Sequence, residues 1–255
     1  MALDRRKFIK LAGLAALVGM GGAGWELLRP GAIDAAQEKP NPRALKAKLW
    51  SMAIDMRKLT PELAAKAIEA CREAHNIPLI PGKQEIKWIW MVPYENAFPE
   101  TENPYADAVK HLEFPVLCNH CENPPCVRVC PTQATFKRPD GIVMMDMHRC
   151  IGCRFCMAAC PYGSRSFNFR DPRPFIKKRN PNYPTRTKGV VEKCLFCNER
   201  IDQGKLPVCV EAAPEAFIFG DLADAGSPVR KALRHRFSLR RKPNLGTEPK
   251  VFYLI

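Results

Sequence analysis

Several familiar chemistries are missing from this chain. It contains no C-x-x-C-H, so covalently attached haem is not indicated, and no Ser-His-Asp set, paired carboxylates or phosphate loop stands out. It also has no recognised nucleic-acid-binding motif, and nucleic acid is not an expected partner. Long apolar runs are scarce: the uncharged stretch Leu11–Trp25 falls short of the roughly 20 residues of a comfortable membrane span. Apart from PGAIDAAQEKPNPRALKAK at 30–48, a polar linker rich in Pro, Ala and Lys, low complexity is absent too.

Cysteine is abundant. A chain of 255 residues can bury a real core, as one large domain or two small ones, and does not need disulfides to fold. It nevertheless carries 12 cysteines, all but one in tight groups. CNHCENPPCVRVCP holds Cys118, Cys121, Cys126 and Cys130, and CIGCRFCMAACP holds Cys150, Cys153, Cys156 and Cys160. The second spacing, C-x2-C-x2-C-x3-C-P, is that of cubane-binding bacterial ferredoxins. A third group supplies Cys194, Cys197 and Cys209, and Ala213, just before Pro214, stands where its fourth cysteine would come. Disulfide frameworks belong to small scaffolds and do not predict two runs of four closed by proline. Three-cysteine turns followed by C-P are equally foreign to four-cysteine zinc sites.

The isolated cysteine is Cys71. Pro61-x2-Ala64-x2-Ala67-x3-Cys71 overlays Cys150-x2-Cys153-x2-Cys156-x3-Cys160, and Met52–Met56 upstream echoes Val143–Met147 apart from two extra residues. The segment reads as a cluster run that has lost three of its ligands. In two-cluster ferredoxins the fourth cysteine of each run ligates the other cluster, so runs work in pairs. If the runs at 118 and 150 pair, cluster one takes Cys118, Cys121, Cys126 and Cys160, and cluster two takes Cys150, Cys153, Cys156 and Cys130. If the degenerate run pairs with the third group, Cys71 completes cluster three with Cys194, Cys197 and Cys209, and Ala213 has no iron to bind. The alternative is a buried structural cysteine, since Cys71 lies on the apolar stripe Leu63, Ala64, Ala67, Ile68 of a helix starting at Thr60-Pro61.

Local patterns predict short elements between loops. ATFKRPDGIVMMD (134–146) carries a hairpin signal at Pro139-Asp140-Gly141. Phe167–Phe169 and Ile218–Gly220 read as short strands, and KWIWMVP places Trp88 and Trp90 on one face, as core residues.

At the N-terminus, Asp4-Arg5-Arg6-Lys7-Phe8-Ile9-Lys10 before the Ala/Gly-rich stretch resembles a twin-arginine signal, here taken as 1–36. That route carries proteins already folded around cofactors and implies the periplasmic, extracytoplasmic face of the cytoplasmic membrane. Ala32, Ala35 and Ala36 form no clean A-x-A, so cleavage and retention as an anchor are both open.

The net charge of +14 has two sources. Arg128, Arg149, Arg154, Arg165, Lys193 and Arg200 crowd the cysteine runs, where anionic clusters need counter-charge. The second is Val229–Lys242, readable as a solvated tail or as a docking surface for a partner or anionic lipid. His120 and His148 flank cysteines and read as packing or hydrogen-bonding neighbours.

The motifs FPVLCNHCENPPCVRVCPTQAT, DGIVMMDMHRCIGCRFCMAACPYGSRSF, VEKCLFCNERIDQGKLPVCVEAAPEAFIFGDLADAGSPV and LGTEPKVFYLI resemble the electron-transfer subunits of dimethyl-sulfoxide, polysulfide and formate-linked nitrite reductase systems, over roughly 48–255. That family typically carries four 4Fe-4S clusters; this chain lacks the ligands for one. Together with the signal, the loss resembles the DsrO-like exported subunits of sulfite-linked membrane complexes. The resemblance implies an α+β fold of two ferredoxin-like halves with irregular loops. One half is continuous (114–170), the other is assembled from 48–80 and 190–222, all within a domain at 37–228, and a basic C-terminal extension follows at 229–255. It further implies three 4Fe-4S clusters relaying electrons, no catalytic residues, and two partners: an NrfD-like quinone-reactive membrane subunit, and a multihaem cytochrome c or other redox subunit. A molybdopterin reductase such as polysulfide or thiosulfate reductase is the alternative setting. A cluster enzyme would need an iron held by only Cys194, Cys197 and Cys209. A redox sensor would seldom need three clusters, and no DNA-binding segment accompanies them.

Overall fold

The computed structural model describes residues 41–100, 109 and 111–255; the twin-arginine-like segment at 1–36 lies outside them. Pro42–Ile255 forms one unit in which short helices and small sheets alternate with irregular loops.

The largest sheet has four strands, β1 (Trp50–Asp55), β8 (Phe217–Asp221), β9 (Ser238–Leu239) and β10 (Val251–Leu254), in the order β8-β1-β10-β9. β1 runs antiparallel to β8 and parallel to β10, and every residue of β1 is buried, which suits the run WSMAI, apolar but for Ser51. Three two-stranded antiparallel sheets complete the β structure. They are β2 (Ile89–Pro93) with β3 (Glu113–Leu117), β4 (Thr135–Lys137) with β5 (Val143–Met145), and β6 (Ser166–Phe167) with β7 (Val191–Glu192). β4 and β5 form the hairpin signalled by Pro139-Asp140-Gly141, with Gly141 at φ +82°, a conformation open to glycine.

One long α-helix and six short ones with described ends accompany the sheets, together with three single 3-10 turns. α1 (Pro61–Ala74) has a helix-start pattern: Thr60 Oγ1 accepts from Leu63 N at 3.3 Å, Pro61 occupies the first turn, and Glu62 faces the positive helix end. Its buried side is Ala64, Ala67 and Cys71. The short helices are α2 (Tyr94–Ala97), α3 (Pro125–Arg128), α4 (Phe155–Ala158), α5 (Asn198–Ile201), α6 (Val208–Ala212) and α7 (Pro228–His235). α1 packs on α6, and α7 lies on β8 and β1.

Residues 229–255, read from sequence as a basic extension, lie inside this unit. β10 is an interior strand of the main sheet, and the basic segment before it is tied down. Arg236 forks onto buried Asp55 at 2.6 and 2.8 Å, Arg240 lies over Phe252, and Arg241 is buried and donates to Ala97 O. Charge counting treats these arginines as a solvated tail; partners distant in sequence bury Arg241 and hold Arg236 half-buried, while Arg240 stays exposed. Of the two tryptophans, Trp88 is buried and Trp90 half-buried.

Candidate iron-sulfur centres

Each cysteine group is shaped by left-handed backbone. Cys118-x2-Cys121 turns through His120 at φ +42°, Cys150-x2-Cys153 through Gly152 at φ +73° with Arg154 next at +63°, and Cys194-x2-Cys197 through Phe196 and Cys197 at +54° and +52°. Such residues curl the chain so that successive amide N–H groups face a concave anion site. The short helices α3, α4 and α6 then carry the third cysteine of each group, Cys126, Cys156 and Cys209.

These turns, with crossings from elsewhere in the chain, line three cavities. Cavity one is bounded by Cys118, Cys121, Cys126 and Cys160, cavity two by Cys130, Cys150, Cys153 and Cys156, and cavity three by Cys71, Cys194, Cys197 and Cys209. The atom-free space in and at the mouth of each is similar, about 330, 280 and 260 Å³, and none of the twelve sulfurs is in a disulfide. Cys71 arrives from the C-terminal half of α1, and Cys130 and Cys160 each cross into the neighbouring group's cavity. Ala64, Ala67 and Ala213, at the positions without cysteine, are 2%, 0% and 0% exposed, packed as ordinary core.

The donor set suits an iron-sulfur cube: four thiols around a small enclosed space, with amide donors aimed at sulfur. Burial pushes the Cys71 thiol well up, helped by the negative charge of Cys194 and Cys209, and Cys197 is raised well above its ordinary value by burial and then Cys209 and Cys71. Burial also pushes Cys121 and Cys209 up to about 12. Thiolates this close and this dry repel one another unless a cation lies among them. Backbone donors supply the opposite influence: burial raises Cys130, yet hydrogen bonds from Thr135, Thr132 and Ala134 leave it lowered overall. Cys160 accepts from Ser164 and Tyr162, and Phe196 N lies 3.5 Å from Cys194 Sγ.

The cavities differ in surroundings. Cavity three is fully buried, with all four cysteines at 6% exposure or less. Beside it, His75 Nδ1 lies 2.9 Å from Cys71 O and 3.7 Å from Cys71 Sγ, while Nε2 lies 2.9 Å from Glu199 Oε1. His75, Cys197 and Glu199 bring ligand-type atoms within 4.8 Å of one another. Trp88 stacks on His75 at 4.9 Å and donates to buried Glu192, which pairs with Arg186 at 2.7 Å. Cavity two is the most open: Cys153 is exposed, Cys130 and Cys150 half-buried, and Ile151 and Phe155 beside them are 66% and 60% exposed.

Two buried cations occupy the junctions. Arg165 donates to Thr135 Oγ1 at 3.1 Å and has as charged neighbours the sulfurs of Cys126, Cys156 and Cys118, from cavities one and two. Lys193 donates to Val143 O and, at 2.9 Å, to Cys194 O, and its neighbours are Cys118, Cys194 and Cys126, from cavities one and three. His120 accepts from Val143 N at Nδ1 and stacks on Phe196 at 3.7 Å, joining the turns of cavities one and three. Burial, then the charge of Lys193, holds His120 well below its ordinary pKa, so it is neutral, with the ring proton on Nε2. His148 is exposed.

The sequence reading passed over His75 and Glu199. The spacing Cys71-x3-His75 was the available signal, since i and i+4 share a helix face.

Residues 109–173 match the family model for a 4Fe-4S dicluster domain. Among curated proteins, the chain is 43% identical to Hdr-like menaquinol oxidoreductase iron-sulfur subunit 1 of Archaeoglobus fulgidus, over 98% of this chain and 97% of the relative. It is 35% identical to the iron-sulfur cluster-binding subunit of menaquinone reductase from Nitratidesulfovibrio vulgaris, over 80% and 88%, and 36% identical to protein NrfC of Escherichia coli, over 72% of each. The chain belongs to the family of 4Fe-4S electron-transfer subunits of oxidoreductase complexes, and fits its DsrO-like members.

Proposed function

We propose that the chain is a three-cluster relay, with a 4Fe-4S cube in each cavity held by the four cysteines that line it. The observation that carries this reading is Cys71, whose sulfur lines cavity three with Cys194, Cys197 and Cys209 across more than a hundred residues of sequence. With four thiolates per cube, no iron is left open to substrate, which favours electron transfer over catalysis. The Arg165, His120–Phe196 and Lys193 contacts, which join cavity one to each of the others, support an electron path in the order two, one, three or the reverse.

Two ferredoxin-like halves fit the same geometry. In 114–170 the strand after one run, β4, pairs antiparallel with the strand before the next, β5. In the segments 48–80 and 190–222, β8 follows the third group, β1 precedes the degenerate run, and they pair antiparallel in the same way.

Cavity two is the end of the relay at the surface. The apolar Ile151 and Phe155 beside exposed Cys153 suit an NrfD-like quinone-reactive subunit, and the opposite end serves a multihaem cytochrome c or other redox subunit of a sulfite-linked complex. The menaquinol and menaquinone oxidoreductase relatives support the quinone side of this assignment. The twin-arginine-like segment supports a periplasmic location.

Iron analysis of anaerobically isolated protein is expected to give about twelve iron per chain, four per cube. Cys71→Ser should remove or alter one cluster's electron paramagnetic resonance signal and spare two. About eight iron in the unsubstituted protein, or an unaltered spectrum in the variant, overturns the assignment. Co-purification from solubilised membranes tests the setting: a molybdopterin subunit in place of a cytochrome overturns the sulfite-linked part.

A further inference from the structure

Five basic side chains are buried among the described residues: Arg165, Arg186, Lys193, Arg241 and Lys250. Two have carboxylate partners, Arg186 with Glu192 at 2.7 Å and Lys250 with Glu122 at 3.1 Å. Arg165, Lys193 and Arg241 have none, and each is tied to cavity one, two of them directly and Arg241 through Tyr162. Arg165 lines it, Lys193 has Cys118 and Cys126 as charged neighbours, and Arg241 lies 5.5 Å over the ring of Tyr162, which also lines it. An isolated cation in a dry interior is strongly disfavoured, so three of them tied to one cavity call for an anion of another kind.

We propose that these three cations are the counter-charge of the cluster in cavity one, making it the highest in reduction potential of the three, and that Arg165 and Lys193 are shared with its neighbours in cavities two and three. This rests on the three-cluster reading. Reduction adds one negative charge to a cube, and a nearby buried cation favours that charge over little screening distance. The cluster in cavity one has Arg165 in its lining, Lys193 beside Cys118 and Cys126, and Arg241 one ring further out, over Tyr162. The cluster in cavity two has Arg165 near Cys156 and, at its rim, Arg154, whose exposed charge is screened by solvent. The cluster in cavity three has Lys193, but it is fully buried, Glu199 beside it opposes reduction, and the Arg186–Glu192 pair nearby is neutral overall. Cavity three therefore holds the cluster of lowest potential, and Arg165 and Lys193 are positioning residues for charge.

The test is a redox titration of the full chain followed by electron paramagnetic resonance. Lys193→Met is expected to lower two of the three potentials, and Arg165→Met two, with one component common to both variants. That common component must be the highest in the unsubstituted protein. Lys193→Arg and Arg165→Lys should restore most of each shift, which a packing role alone would not predict. Glu199→Gln, at a partly exposed carboxylate, should raise the lowest component alone, and it supplies the test if a charge-deleting variant fails to retain its iron. Equal shifts in all three components, a common component that is not the highest, or a Glu199→Gln variant that moves the highest component or none overturns the proposal. Fewer than three components in the unsubstituted protein would instead defeat the three-cluster reading beneath it.

Discussion

Residues 150–160 and 61–71 have the same spacing and different backbones. The first bends through Gly152 and Arg154 in the left-handed region and allows only the four-residue helix α4. The second is part of a regular helix of 14 residues, with no left-handed residue from its cap to Cys71. Left-handed residues other than glycine cost about 1–2 kcal/mol each and persist where something rewards them. On the three-cluster reading a cube does so at 150–160. At 61–71 the three ligands are gone, and Pro61, Ala64 and Ala67 are residues that favour a helix start and a helix interior. Cys71 keeps its place because its sulfur faces the neighbouring cavity.

The sharpest way to break this comparison is to change equivalent positions in the two runs. Cys156→Ser is expected to reduce iron from about twelve to about eight per chain, whereas Ala67→Ser, its counterpart in α1, should leave iron content unchanged. Equal iron loss in both would mean that α1 also holds metal.

Backbone changes come next. Gly152→Ala forces alanine to φ +73° and drives its Cβ into the carbonyl oxygen of Gly189. The expected cost is about 1–3 kcal/mol, with loss of the cavity-two cluster ahead of the others, read by anaerobic denaturation and resonance. Thr60→Ala removes only the cap of α1 and should cost about 1 kcal/mol in the same measurement without changing iron content.

The smallest effect at neutral pH concerns iron-free protein. Burial raises the Cys121 and Cys209 thiols to about 12, so the folded apo chain keeps protons that the unfolded chain releases near the ordinary thiol value of about 8.5. The unfolded state binds fewer protons in that window, so stability is full below it and falls as pH rises toward 12. Thermal melts of chelated protein should show this alkaline loss, and iron-loaded protein, whose thiolates are already formed, should not.

Local chemistry was legible where neighbours in sequence decide it. The cap at Thr60, the hairpin at Pro139-Asp140-Gly141 and the four-cysteine runs all follow from residues a few positions apart. The segment 229–255 was not legible, because β10 acquires its meaning by pairing in parallel with β1, and nothing local marks a strand whose partner lies some two hundred residues away. His75 and Glu199 were missed for the same reason: their pairing spans 124 positions.

By itself, the sequence determined which three sulfurs share a turn, because ligand spacing within a turn is a property of consecutive residues. The rule that runs cross in pairs also named a distant sulfur for each trio, on condition of which runs pair; which cavity reaches the surface and which buried cations lack a carboxylate were decided only by the tertiary structure. Proximity, burial and the absence of a partner are relations between segments, and no stretch of chain contains them alone.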